Sequence, residues 1–369
     1  MRSNLCAAAV LAGVLFPAAR AQDASPRPQP SGVIEEVFVR ALAPPADDAA
    51  AFATVIDASE FPGRAIDLGS VLQRVPSART QSYGGIGRFA TVSLRGSSAE
   101  QVTVLVDGVP QNRALGGAVD LSSIPVSLVQ RVTVFRGFGP PGTGLGGLVD
   151  IRTRRPGPAP QASADVLAGT LDTVLGTADG SLAIPGGRLR VSGETFRSAG
   201  DFGYLPGENS GVGTAGEPRR TRRRNNDVDS RAGALHAAWD DVLSGQLSAI
   251  VRVREREQGI PGTGDSPLGH VRLEDSGASA VAAWSRAVGG AALESLDVQL
   301  DALSERSLLS NPAGEAVIHA DEQLTRTSGG GMLAVARWSL GAHRLSTSLG
   351  ARTERSHIRD EGLSVAERG

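Results

Sequence analysis

Val102-Thr103-Val104-Leu105-Val106-Asp107-Gly108-Val109-Pro110-Gln111-Asn112 reads as a β-strand that runs into a tight turn. Asp-Gly is the dipeptide best suited to the positive φ angles of a two-residue hairpin loop. Working outward, Asp67 can cap a helix whose apolar residues Leu68, Val71, Leu72 and Val75 follow i, i+3, i+4, i+7 spacing before Pro76 stops it. Tyr83-Gly84-Gly85-Ile86-Gly87 is a glycine loop, and an alternating strand is expected from Phe89 to Leu94. Pro125 can open a short helix reaching Val129. Val132-Thr133-Val134-Phe135 and Leu148-Val149-Asp150-Ile151 supply two more strands. Residues 52–155 therefore read as one compact α+β unit.

Beyond Pro156 the texture changes. Segments of about ten residues alternate weakly in polarity, the signature of transmembrane β-strands. They fall at 161–169, 173–184, 188–197, 228–240, 246–256, 276–287, 292–305, 324–337 and 344–355. Short turns at 185–187, 241–245, 289–290 and 341–342 alternate with polar loops at 198–227, 257–275 and 306–323. This is the expected pattern of inner turns and outer loops in a membrane barrel. A soluble sandwich has no reason to segregate loop lengths in this way.

The N-terminus carries an address. Arg2, an apolar stretch from Ala7 to Phe16, and Ala19-Arg20-Ala21 form a secretory signal over residues 1–21. The single cysteine, Cys6, lies within it, so the mature chain has no thiol. Residues 22–51 are a proline-bearing linker around the short alternating run Ile34-Glu35-Glu36-Val37-Phe38-Val39. A disordered tail with a chance apolar cluster would look the same.

Several functions are excluded or unsupported. A formal net charge of −2 does not suit a nucleic-acid protein. His236, His270, His319, His343 and His357 are scattered and never reach metal-ligand spacing. No catalytic signature appears, so neither an enzyme nor a bound cofactor is expected. Gly142-Thr143-Gly144-Leu145-Gly146-Gly147 satisfies G-x-G-x-x-G, but a strand follows it rather than the helix a dinucleotide requires, so it reads as a turn. The arginine run at 219–224 could meet an anionic ligand or lipopolysaccharide phosphate; a solvated loop face is the simpler reading.

Residues 52–155 resemble the plug of TonB-dependent outer-membrane receptors. The resemblance rests on six motifs in order. They are Leu68 to Pro76, Val92-Ser93-Leu94-Arg95-Gly96, Val104 to Asn112, Val119-Asp120-Leu121-Ser122-Ser123-Ile124-Pro125, Val132 to Gly137, and Gly146 to Ile151. Ile34 to Val39 looks like a TonB box, and Asp201-Phe202-Gly203-Tyr204 and Arg224-Asn225-Asn226 resemble features of an early outer loop.

The resemblance implies a plug followed by an antiparallel transmembrane barrel over 156–369, located in the outer membrane. It implies uptake of a scarce solute such as a ferric siderophore or cobalamin. The implied partners are the periplasmic protein TonB, engaged by residues 34–39, and outer-membrane lipid and lipopolysaccharide. Arg95 and Arg136 become candidates for anchoring plug to barrel; pairing with a local carboxylate is the alternative for each.

Some positions depart from the family. Thr133 stands where an acid is usual, Asp150 where asparagine is common, and aromatics are only 4% of the chain. About nine strands are expected where the family needs about 22. The chain therefore reads as a fragment or truncated product, and a non-transporting plug-bearing protein that binds ligand or TonB only is the second reading.

Overall fold

The computed structural model describes residues 53–57, 67–82, 87–113, 117–136, 144–205, 220–262, 267–289, 292–316, 321–341 and 343–361, all within one compact unit, Glu36–Gly369. The signal segment and the run Ile34 to Val39 lie outside the described residues.

The N-terminal domain runs β1 (Ala53–Asp57), α1 (Leu68–Leu72), β2 (Ala78–Ser82), β3 (Ala90–Leu94), β4 (Val102–Val106), β5 (Val109–Pro110), β6 (Val129–Phe135) and β7 (Gly147–Thr153). Its main sheet has the order β1-β6-β7-β4-β5, while β2 and β3 form a separate hairpin. Among the described residues only β4 and β7 pair in parallel, Val104 opposite Val149. Leu68, Val71, Leu72 and Val75 all enter the core with Leu94, Val104, Val134 and Ile151, as the helical spacing requires. The helix is shorter than that spacing suggests. After Leu72 the backbone switches to i→i+3 bonds, Arg74 N–H to Val71 O and Val75 N–H to Leu72 O, which tighten the last turn and still bury Val75. Asp67 caps the other end through Ser70 N–H at 2.7 Å. Val126–Leu128 is a single 3-10 turn opened by Pro125.

The second domain is a nine-stranded antiparallel meander: β8 (Gln161–Gly169), β9 (Thr173–Ile184), β10 (Gly187–Ser198), β13 (Val228–Val242), β14 (Gly245–Gly259), β15 (Arg272–Ala287), β16 (Leu293–Ser310), β17 (Glu322–Leu340) and β18 (His343–Glu361). The short pair β11 (Gly203–Tyr204) and β12 (Thr221–Arg222) forms a hairpin inside the loop between β10 and β13. Several strands outrun the alternating pattern, β18 reaching Glu361 instead of residue 355. Backbone pairing persists there although the outward residues turn polar, because ladder bonds do not depend on side-chain identity. The connection between β8 and β9 is also tight: Leu171 and Asp172 both have positive φ. Two short connections therefore follow one another, β8–β9 and β9–β10, and the strict alternation of short and long holds only from β9 onward.

Register separates the two faces of this sheet. Val191, Leu235, Val251, Ala280, Ala302 and Gly330 share one cross-strand row. The neighbouring row, one residue along each strand, is Arg190, His236, Ile250, Val281, Asp301, Gly331 and Arg352. The first row is apolar and outward; the second is mostly polar and turned to the N-terminal domain. Lipid-facing outside and polar inside is the membrane-barrel arrangement. All three tryptophans, Trp239, Trp284 and Trp338, lie on the outward face within three residues of the short-turn ends of their strands. That places the scarce large aromatics at one membrane interface, where amphipathic rings are favoured.

Candidate functional site

The plug rests on the inward face of the sheet, and its seat is built chiefly from arginines. On β14 the inward positions Arg252, Arg254 and Arg256 alternate with outward Val253 and Glu255. Arg252 Nη1 donates to Asp107 Oδ2 at 3.1 Å, and its Nη2 reaches the Val106 carbonyl at 3.4 Å. Arg256 donates to Asp120 Oδ2 at 2.7 Å, to Ser122 Oγ at 2.6 Å and to the Gly87 carbonyl at 2.8 Å. A third crossing runs the other way: Arg113 of the plug grips Glu305 of β16 in a two-pronged contact at 2.6 and 2.8 Å. Glu305 also accepts from Arg254 at 2.8 Å. Planar guanidinium suits such forked pairing, whereas a lysine would make a point contact.

Both plug carboxylates are preorganised. Asp107 begins the turn of the β4–β5 hairpin with φ 50°, and Gly108 follows at φ 81°, the geometry in which Asp-Gly is preferred. Its carboxylate accepts the Thr153 N–H and the Thr153 hydroxyl, each at 2.9 Å. An added Cβ at Gly108 would lie 2.7 Å from Gln299 Oε1 of β16, so the hairpin tip sits directly on the barrel wall. Asp120 accepts from Ala90 N–H at 3.1 Å and Ser122 N–H at 3.0 Å before it meets Arg256. Further crossings join Arg88 to the Gly259 carbonyl at 3.2 Å, Arg190 to the Arg155 carbonyl at 2.9 Å, His236 to the Arg154 carbonyl at 3.3 Å, and Ser127 to Glu194. Burial and the nearby Arg256 lower the Arg88 pKa to about 10.

Asp150 is 3% exposed and pairs across the ladder with Thr133. The acid missing at position 133 is therefore present directly opposite, 2.6 Å from Arg152. Burial raises the Asp150 pKa, and the Arg152 charge only partly opposes this. A carboxyl whose folded pKa is raised contributes stability that is intact below its ordinary pKa and is lost as pH rises through the folded value. Asp150→Asn is expected to flatten the plug's pH dependence of unfolding above the usual carboxylate range. Denaturant midpoints taken from acid to neutral pH check this; identical slopes for the two proteins contradict it.

Of the arginines singled out from sequence, Arg136 donates to the Pro76 carbonyl at 3.4 Å, within the plug. Arg95 occupies an exposed left-handed turn, φ 52°, with its N–H on the Ser77 carbonyl at 2.9 Å. Sequence reasoning passed over Arg252, Arg256, Arg113, Asp107 and Asp120. A usable signal was present: three arginines at every second position of one barrel strand require acids facing them.

The outer-loop residues have distinct uses. Asn225 donates to the Ile260 and Val271 carbonyls at 3.0 and 2.8 Å, and buried Asn226 to the Gly200 carbonyl at 2.7 Å. Within the arginine run, Arg222 pairs with Asp201 at 2.7 Å, and Arg223 lies 5.6 Å from the Tyr204 ring centroid. Among the described residues no group of His, Cys, Asp and Glu is placed to hold a metal ion.

Residues 45–148 match the model of the TonB-dependent receptor plug domain. Among solved structures, the chain is similar to the copper transporter OprC, with 17% identity over 83% of this chain and 46% of that one, TM-score 0.64. It is similar to the ferric citrate transporter FecA in its unliganded form, with 15% identity, 83% and 48% coverage and TM-score 0.61. The FrpB iron transporter from Neisseria meningitidis (F5-1 variant) gives 15% identity, 83% and 49% coverage and TM-score 0.64. At these identities the likeness is one of fold. The chain spans about half the length of each of these structures.

Proposed function

We propose that this chain, which carries the plug domain and part of the β-barrel of a TonB-dependent outer-membrane receptor, serves in the energised uptake of a scarce solute. The observation that carries the reading is the plug's seat: ion pairs and hydrogen bonds join Asp107, Asp120 and Arg113 to the barrel wall, around one small apolar patch where Val109 meets Ile250, Val281 and Leu303. Polar contacts can exchange for water when a plug is pulled, whereas an apolar core would resist with its whole buried area.

In this reading Ile34, Glu35, Glu36, Val37, Phe38 and Val39 are offered to TonB as an added β-strand, which needs main-chain pairing and alternating side chains. TonB then draws on the plug and opens a path along the arginine-lined wall. Arg95 and Arg136 belong to the proposed anchoring set, alongside the bond that Arg136 makes to the Pro76 carbonyl inside the plug. Lipopolysaccharide forms part of the surroundings. The solute is a metal chelate or vitamin: the similar structures are named for copper, ferric citrate and iron, and a siderophore complex or cobalamin fits the same class. The role is transport rather than catalysis.

The test is deletion of residues 34–39 in a strain that expresses the receptor, with uptake and surface binding of labelled ferric chelates and cobalamin followed separately. Uptake is expected to fall to background while binding persists. Equal uptake with and without the segment overturns the proposal.

A further inference from the structure

The ladder between β14 and β15 sets Arg252 opposite Ser279, Arg254 opposite Gly277 and Arg256 opposite Asp275. Strand β16 continues these three rows with Leu303, Glu305 and Ser307, all on the inward face. Each arginine holds the plug, yet the wall beside each is different. Arg252 meets the Ser279 hydroxyl at 3.2 Å and, among the described residues, no acid of the wall. Arg254 reaches across Gly277 to Glu305 at 2.8 Å. A Cβ at Gly277 would lie 3.0 Å from Arg254 Nε and 3.4 Å from Glu305 Cγ, so the glycine keeps that line open. Arg256 stands beside a carboxylate and does not use it.

Directly opposed Cβ atoms in an antiparallel pair are about 5 Å apart, well within the reach of a guanidinium. The Asp275 carboxylate nonetheless accepts from Ser307, with Arg254 and Arg256 close enough to act on it only through space. Among the described residues it joins no ion pair. Arg256 sends Nη1 to Asp120 and Ser122, and Nη2 to the Gly87 carbonyl and Gln258. Its Nε is left buried, without a hydrogen-bond partner among the described residues. An unmet donor and an acid with no arginine of its own therefore stand side by side in one row. Leaving such groups unmatched away from water is unfavourable, and the closed seat makes no use of the pair.

We propose that Asp275 is the stand-in partner of Arg256: when the plug withdraws Asp120, the guanidinium turns to Asp275 and stays paired on the wall. A buried charge stripped of its partner is costly, and a carboxylate ready in the same ladder row removes that cost from the opening step. Glu305 keeps Arg254 in the same way when Arg113 leaves. Arg252 has no such reserve, which sets the Asp107 contact apart. Asp275 is thus a positioning residue for Arg256 in the parted state and not a member of the closed seat. Its bearing on uptake rests on the reading of this chain as a transporter; the exchange of partners does not.

Amide hydrogen exchange of the full chain in lipid bilayers, followed over residues 88–94 and 117–124, reads how often this side of the plug leaves the wall. Asp120→Asn keeps Oδ1, which accepts from Ala90 and Ser122 N–H, and removes the charge that holds Arg256. Alone it is expected to speed exchange by no more than about tenfold, because Arg256 turns to Asp275. Asp275→Asn alone should leave exchange unchanged or slow it. The two together should speed it by about a hundredfold or more, beyond the product of the single effects, since Arg256 then has no carboxylate. Asp120→Asn combined with Asp275→Glu should return to the level of Asp120→Asn, a rescue that a folding defect would not show. Single effects that simply multiply overturn the stand-in. Faster exchange in Asp275→Asn alone overturns it too, by making Asp275 part of the closed seat. Uptake is scored separately: none by the unaltered protein overturns the transport reading, while the exchange cycle, measured without solute, is decided by its own result.

Discussion

Replacing Asp107 by alanine is expected to loosen the plug from its seat by about 3–5 kcal/mol, the usual cost of stranding one member of a buried ion pair. The carboxylate is 4% exposed and accepts from three donors, Thr153 N–H, the Thr153 hydroxyl and Arg252. Its loss leaves the largely buried Arg252 charge with only the Val106 carbonyl at 3.4 Å and Ser279 Oγ at 3.2 Å. Alanine must also hold φ near 50°, which adds about 1 kcal/mol. Asp107→Asn separates the two effects, because asparagine tolerates the left-handed turn and removes only the charge. Arg252→Met combined with Asp107→Ala should recover part of the loss, since no buried charge then lacks a partner. Hydrogen exchange over residues 102–113 reads each variant. An Asp107→Ala protein as well protected as the unaltered one contradicts the role given to this pair.

Gly144→Ala is expected to prevent the plug core from closing, at a cost of about 3 kcal/mol or more. An added Cβ at Gly144 would lie 2.0 Å from the Gln101 carbonyl oxygen, a backbone atom rather than the free end of a side chain. Gly146 N–H bonds that same oxygen at 3.0 Å, and Gly144 N–H bonds Thr103 Oγ1 at 2.6 Å. The glycines thus let this turn lie flat against the start of β4, so that β7 can pair in parallel with it. Gly186→Ala is the comparison: it has φ 68° with nothing within 4 Å of the added atom, so only backbone strain of about 1–2 kcal/mol is at stake. Limited proteolysis of the plug, with the barrel's protected core as internal reference, should separate the two variants. Equal plug resistance in both would show that the close approach at Gly144 is not what the turn requires.

The two expectations bear on the proposed uptake in different ways. Asp107 holds the finished plug to the barrel, so its loss should ease opening and raise passive leakage. Gly144 builds the plug itself, so its loss should remove the closure altogether.

The sequence alone determined whatever local chemistry could carry. Asp67 and the apolar spacing behind it specified the helix start, Asp107-Gly108 specified the hairpin, and period-two polarity located nine barrel strands. The strand following Gly142 to Gly147 was enough to set aside a dinucleotide site. Elements held by distant partners were not legible in this way. β1 buries only Ile56 and is ordered by pairing with β6, some eighty residues away. β2 likewise buries no residue fully, Ala78 and Thr80 being only half-covered, and takes its register from β3.

The seat was hidden for the same reason. Arg252 and Asp107 are separated by 145 positions, as are Arg113 and Glu305 by 192, so local pattern could mark each residue as charged but could not say which charge it meets. That pairing was decided only when the β4–β5 hairpin and the residues after it were brought against strands β14 to β16 on one wall of the barrel, because an ion pair is set by distance in space and dielectric, neither of which is written along the chain.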